Sequence, residues 1–188
     1  MSRLKKYDQH NYIQFITAVT YKRIPVLTMD GRFPKFFLEN LEFYRGKYDF
    51  MLHGFCLLPD HFHILGYLPE NQKLSDFLRD FKGFTAKKIL DILKQGKSSL
   101  LEKLWAGQKG RRKDGLYKVF QEDTFVYNIF SERKLEEKLD YIHRNPVEAG
   151  LAKEEKDWPY SSWRNYHLGD HSLIKVDVLY EMDEAGKE

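Results

Sequence analysis

Residues 50–68, FMLHGFCLLPDHFHILGYL, constrain the fold more than any other stretch of this chain. They are apolar and β-prone on both sides of a short break at Pro59-Asp60, which predicts two strands joined by a tight connection. The second strand opens with His61-Phe62-His63. Successive side chains of a strand point to opposite faces, so the two imidazoles share one face and Phe62 anchors them from the other. Such a pair on a rigid strand makes half of a metal site. Taken alone, two ordinary strand histidines are the commoner reading.

The flanking segments supply the rest of a domain. Tyr12 to Thr20 is β-branched and aromatic with partial alternation, a first strand. From Arg32 to Lys47 apolar residues recur at helical spacing. Ser75 is placed to cap a second helix reaching about Leu93, with Leu74, Phe77, Leu78, Phe81, Phe84, Ile89 and Ile92 on its apolar side. Gln95 to Tyr117 carries four glycines and the run KGRRKDG, which predicts a mobile basic loop. Tyr117 to Phe120 and Phe125 to Tyr127 are two short β-like segments. Ser131 caps a third helix that runs to about Asn145, where Pro146 is expected to stop it. The resulting order, β-α-β-β-α-β-α, predicts the α+β class. Its architecture is a ferredoxin-like split β-α-β-β-α-β unit: an antiparallel sheet, both early helices on one face, and an added C-terminal helix. His61 and His63 then lie mid-sheet, on the face opposite those two helices.

Composition narrows the class. A chain of 188 residues with 42% hydrophobic and 31% charged residues fits one globular domain, with a tail from about residue 167 to 188. No apolar run approaches the ~20 residues of a membrane span. The N-terminal residues are charged without a following apolar stretch, so no secretory signal is expected. The single cysteine, Cys56, cannot form an intrachain disulfide or a Cys-based zinc site. It suits a small core residue in a reducing cytoplasm. Charge is unevenly spread: Lys73 to Lys118 holds 13 Lys and Arg against 5 Asp and Glu, whereas Glu132 onward holds 9 against 14. A basic middle and an acidic end suit a polyanion-binding face with a solvated tail, or simply a well-solvated helix and loop.

The third helix reads ERKLEEKLDYIHRNP. Leu135, Leu139 and Ile142 form its buried stripe. Tyr141 and Asn145 are four apart and stand on a shared face, with Lys138 one turn below. Standing alone, Tyr141 would be a packing tyrosine and Asn145 a helix terminator.

Several segments together carry a resemblance. They are Leu57-Leu58-Pro59-Asp60-His61-Phe62-His63, Tyr141-Ile142-His143-Arg144-Asn145-Pro146-Val147, Ala149-Gly150-Leu151 and Trp158-Pro159-Tyr160-Ser161-Ser162. In these the chain resembles the HUH-type single-tyrosine transposases, most closely their REP-associated branch, over about Tyr12 to Tyr166. The resemblance implies a divalent metal, Mg²⁺ or Mn²⁺, held by His61, His63 and Asn145. It implies Tyr141 as nucleophile, leaving a 5′-phosphotyrosine and a free 3′-OH. A phenol with an ordinary pKa of about 10 needs nearby positive charge at neutral pH, which the metal and Lys138 would supply. The implied substrate is single-stranded DNA beside a hairpin. Arg23, Lys82, Lys87, Lys88, Arg111, Arg112 and Lys113, together with Lys138, are the expected backbone contacts. A monomer is favoured, with a homodimer as the alternative. Two other readings stay open: a domesticated DNA binder, and a non-catalytic nucleic-acid binder whose exposed sheet aromatic would be Phe62.

Overall fold

β-Branched and aromatic runs become four strands, β1 (Ile13–Thr20), β2 (Met51–Leu57), β3 (His61–Tyr67) and β4 (Phe120–Ile129). The computed structural model describes residues 12–107 and 116–178. The strands form one sheet in the order β2-β3-β1-β4, with every neighbouring pair antiparallel. Among the described residues five α-helices accompany them: α1 (Arg32–Tyr48), α2 (Leu74–Gln95), α3 (Leu100–Lys103), α4 (Glu132–Glu148) and α5 (Trp163–Leu168). The expected α+β architecture is therefore present, and the histidine strand β3 is central.

Phe62 shows how the layers are joined. Its ring is fully buried, 5.0 Å from Phe37 of α1 and 5.6 Å from Phe81 of α2. Burial of one such ring contributes about 2–3 kcal/mol. Asn40 adds a polar pin between the two helices, its amide donating to the Phe81 carbonyl and to Thr85 Oγ1. On the opposite face α4 crosses β2 and β3. Gly54 permits that approach, since a Cβ there would sit 2.9 Å from Leu139 Cδ1.

Local chemistry altered several expected boundaries. Lys73, not Ser75, is the N-cap of α2, and Ser75 lies inside the first turn; Asp76 there complements the helix dipole. Phe84 leaves the buried side of α2, Ile92 packs against the core only partly buried, and Thr85 and Leu93 are buried there. The 95–117 stretch is more than a loop. It contains α3, the fully buried Leu104 and a bridge between Trp105 and Tyr117. Of the two short β-like segments, the first contributes only Phe120 to β4, Tyr117 bridging Trp105 outside it, and Phe125 to Tyr127 lies in the same strand. The β1–β4 register slips between Ala18 and Thr20, which leaves Gln121, Glu122 and Asp123 exposed in a bulge. Their polarity made one strand read as two.

Pro146 does not end α4, which continues to Glu148. The stop is set by Gly150, at φ +69. Its N–H bonds the Val147 carbonyl, and the Leu151 N–H bonds the Pro146 carbonyl. This is the paired closure of a Schellman motif, for which a glycine is the unstrained residue. At the other end Ser131 caps α4 as expected, accepting from the Lys134 N–H.

The C-terminal segment covers the sheet edge at β2. The Leu57 N–H bonds the Tyr160 carbonyl, Ser162 N–H bonds the Phe55 carbonyl, and Asp177 N–H bonds the Leu52 carbonyl. Trp158 Nε1 donates to the Leu57 carbonyl. Ile174 and Val176 are buried, so the described part of the expected solvated tail is anchored at these two positions while most of its residues stay exposed. Such cover satisfies a row of edge groups that would otherwise invite another strand. Among the described residues no helix is long and apolar enough to cross a membrane.

Candidate active site

Antiparallel register builds the site from three elements. Thr17 of β1 pairs with His63 of β3, and its Oγ1 lies 2.8 Å from His63 Nδ1. Asn145 Nδ2 on α4 lies 3.3 Å from His63 Nε2. One tautomer satisfies both contacts: Nδ1–H donates to Thr17, and the Nε2 lone pair accepts from the amide. His63 is 3% exposed. Burial, reinforced by the charges of His61 and Lys138, pushes its imidazole down to about 3, so it is neutral near pH 7.

His61 stands beside it, with ring centroids 4.9 Å apart. Its Nδ1–H donates to Asp60 Oδ1 at 2.6 Å, and Asp60 Oδ2 accepts from Arg23 Nη1 at 2.9 Å. Partial burial raises the Asp60 carboxyl, but the hydrogen bonds from His61 and Arg23 outweigh it. The group ends below the ordinary carboxylate range and stays ionised. A carboxylate on Nδ1 leaves the other ring nitrogen as a lone-pair donor, the usual arrangement behind a metal-bound histidine. Arg23 thus has a partner inside the molecule, and Asp60 has a role that the sequence did not disclose.

Tyr141 completes the group. Its ring is 5.4 Å from that of His63 and 5.9 Å from that of Phe15, which itself stacks on His63 at 5.3 Å. Tyr141 remains 40% exposed, so its hydroxyl is open to a large substrate. Lys138 Nζ lies 4.7 Å from the Phe15 ring centroid, 5.4 Å from that of Tyr141 and 5.7 Å from that of Tyr127. Tyr141, His61, His63, Asn145 and Lys138 are therefore together. Among the described residues no three His, Cys, Asp or Glu side chains gather as a metal cluster. The donor set nevertheless fits a divalent cation: two imidazole rings side by side, with an amide that presents Oδ1 in place of Nδ2 after a half-turn.

The other basic residues divide differently. Lys82 is spent internally, donating to the Gln121 carbonyl and to Thr124 Oγ1, and burial pushes its ammonium down to about 8. Lys87 and Lys88 are exposed on α2, in the layer behind the sheet. Lys88 lies over Phe36 and Phe84, where α1 and α2 meet. A strand touching them and Tyr141 would have to pass around the domain. Arg111, Arg112 and Lys113 lie outside the described residues. Phe62, the aromatic a non-catalytic sheet binder would need exposed, is fully buried.

A second buried network holds α4 in place. His143 Nε2 is 2.9 Å from Ser162 Oγ, which accepts from the Phe55 N–H at 3.0 Å. Burial, then the nearby His167, pushes the His143 imidazole down to about 3, so a neutral ring makes this contact. Ser162 is fully buried. Ser162→Ala should leave the Phe55 N–H and His143 Nε2 unpaired and lower unfolding stability by about 1–3 kcal/mol in a urea titration. An unchanged midpoint would remove this clamp from the account of how α4 is held. A second test concerns His61: Asp60→Asn should weaken Mn²⁺ binding, measured calorimetrically, by about 10- to 100-fold. Equal affinity would mean that the carboxylate does not orient the ring.

Comparison with known proteins identifies the family and a similar fold. The family model described as "Transposase IS200 like" matches residues 8–145. A Haemophilus influenzae protein described as a REP-associated tyrosine transposase is 33% identical over 134 residues, 71% of this chain and 66% of that protein. The REP-associated tyrosine transposase of Escherichia coli is 26% identical over 138 residues, 73% of this chain and 64% of the relative. The chain thus spans just under two thirds of the length of either relative. A solved structure of a REP-associated tyrosine transposase bound to a REP hairpin aligns over 100% of this chain and 98% of its own, with a TM-score of 0.65 and 20% identity. At that identity the likeness is one of fold.

Proposed function

The chain belongs to the IS200-like transposase family, and on that premise we propose that it nicks and rejoins single-stranded DNA beside hairpins, with Tyr141 as nucleophile and a divalent metal as cofactor. One observation carries the reading: within a single chain the Tyr141 ring lies 5.4 Å from His63, whose Nε2 faces Asn145. The hairpin substrate is suggested by the REP hairpin bound to the structural neighbour. Because tyrosine and histidines meet without a second copy, a monomer suffices for the chemistry.

In this reaction Tyr141 Oη attacks the scissile phosphorus, its O–P bond forms as the bond to the 3′ oxygen breaks, and the phenolic proton passes to solvent. The departing 3′ oxygen takes up a proton. The products are a 5′-phosphotyrosine and a free 3′-OH, and reversal onto another 3′-OH joins strands with no external energy source. Lys138 Nζ, 5.4 Å from the Tyr141 ring centroid, holds positive charge beside the position the scissile phosphate would take. Phe15 and Thr17 fix the His63 ring, and Asp60 fixes His61. His61, His63 and Asn145 would hold Mg²⁺ or Mn²⁺, which when bound stabilises the charge that develops on the phosphate oxygens.

Incubation with a labelled, hairpin-bearing single strand and Mn²⁺ is expected to yield a protein–DNA adduct that survives denaturation. A complete absence of adduct across a panel of hairpins with varied flanks would defeat the proposal.

A further inference from the structure

Phe125 is an anomaly of the site face. It lies in the body of β4 yet is 57% exposed. Its cross-strand partner is Thr17, the residue bonded to His63. Tyr127, two residues on, shares its face and pairs with Phe15. The Phe125 ring is 6.5 Å from that of Phe15, on which His63 stacks. An aromatic ledge therefore runs from the open sheet edge at β4 to the reacting tyrosine. Lys138 Nζ lies over Phe15, Tyr127 and Tyr141, and it makes no ion pair among the described residues.

We propose that Phe125, backed by Tyr127, is the stacking platform for one unpaired base flanking the phosphate that Tyr141 attacks. This rests on the DNA-cleaving reading and adds the subsite that seats its substrate. An exposed aromatic face next to an ammonium that no carboxylate pairs among the described residues matches a nucleotide, which presents a flat apolar base beside an anionic phosphate. A helix or strand of another protein would meet the apolar ring but leave the cation unanswered. Two strand spacings, roughly 10 Å, separate β4 from β3. One or two nucleotides of extended single strand cover that distance. Stacking reads a π-face rather than base edges, so the subsite demands an unpaired base and tolerates any of the four.

The test uses the Tyr141→Phe protein, which separates binding from cleavage, and a labelled hairpin strand with single-stranded flanks. A companion series carries one abasic site at each flank position in turn. Phe125→Ala is expected to weaken binding about 10-fold. Phe125→Trp should bind at least as well as Phe, whereas Phe125→Leu, which keeps apolar bulk without a π-face, should behave as Ala. One abasic position should cost the protein that retains Phe125 a similar factor and cost the Phe125→Ala variant nothing further. Being exposed, the position should leave thermal stability unchanged in all three variants. Wild-type affinity in Phe125→Ala, or equal loss in both backgrounds at every abasic position, would overturn the platform while normal adduct formation left the cleavage reading standing. Absence of both binding and adduct in the wild-type protein would overturn the two together.

Discussion

Tyr141→Phe is expected to eliminate the covalent protein–DNA adduct, reducing its rate by at least about 10³-fold, while hairpin binding stays within about twofold. The substitution removes one oxygen and leaves the ring beside His63 and Phe15. Since Tyr141 is 40% exposed, the fold should lose less than about 0.5 kcal/mol. The experiment also divides two chemistries. A hydrolase that activates water would cut the strand as before and release a free end with no protein attached. Cleavage that persists in Tyr141→Phe would therefore assign the His61–His63 site to water activation and reduce Tyr141 to packing.

The second large effect is expected at His63. Its imidazole joins Thr17, Asn145, Phe15 and Tyr141, so His63→Ala removes the proposed metal donor and the pivot of the site together. Adduct formation should fall by about 10²–10³-fold, the scale of losing one preorganised electrostatic group. Mn²⁺ binding, followed by calorimetry in the Tyr141→Phe background, should become undetectable. Stability should fall by about 1–3 kcal/mol, because Thr17 and Asn145 lose a buried partner. Chelation by EDTA should reproduce the activity loss without the stability loss. If adduct forms equally well after chelation and in His63→Ala, the metal is not part of the reaction.

Local pattern made much of this legible. A two-residue period put His61 and His63 on one face and Phe62 on the other, and both assignments hold in the structure. Helical spacing put Tyr141 and Asn145 on a shared face, and the same face meets His63. Where pattern misled, tertiary context had overridden propensity. The polar bulge at 121–123 split β4, Gly150 displaced the end of α4 beyond Pro146, and Lys82 found partners on β4 rather than solvent. Lys87 and Lys88 are basic for any reader, but which side of the sheet they occupy follows from how α2 packs.

By itself, then, the chain's order of residues determined the main elements and which side chains share a face, because periods of two and 3.6 residues are properties of neighbours along the backbone; the roles proposed for Tyr141, His61, His63 and Asn145 rest on the resemblance that their segments carry. The tertiary structure alone decided that Thr17 would orient His63, that His143 would reach Ser162 across 19 residues, and that Phe125 would stand exposed beside Phe15. Those contacts depend on strand register and on the docking of α4. Register and docking are set by the sum of packing over the whole core, which no local window of sequence contains.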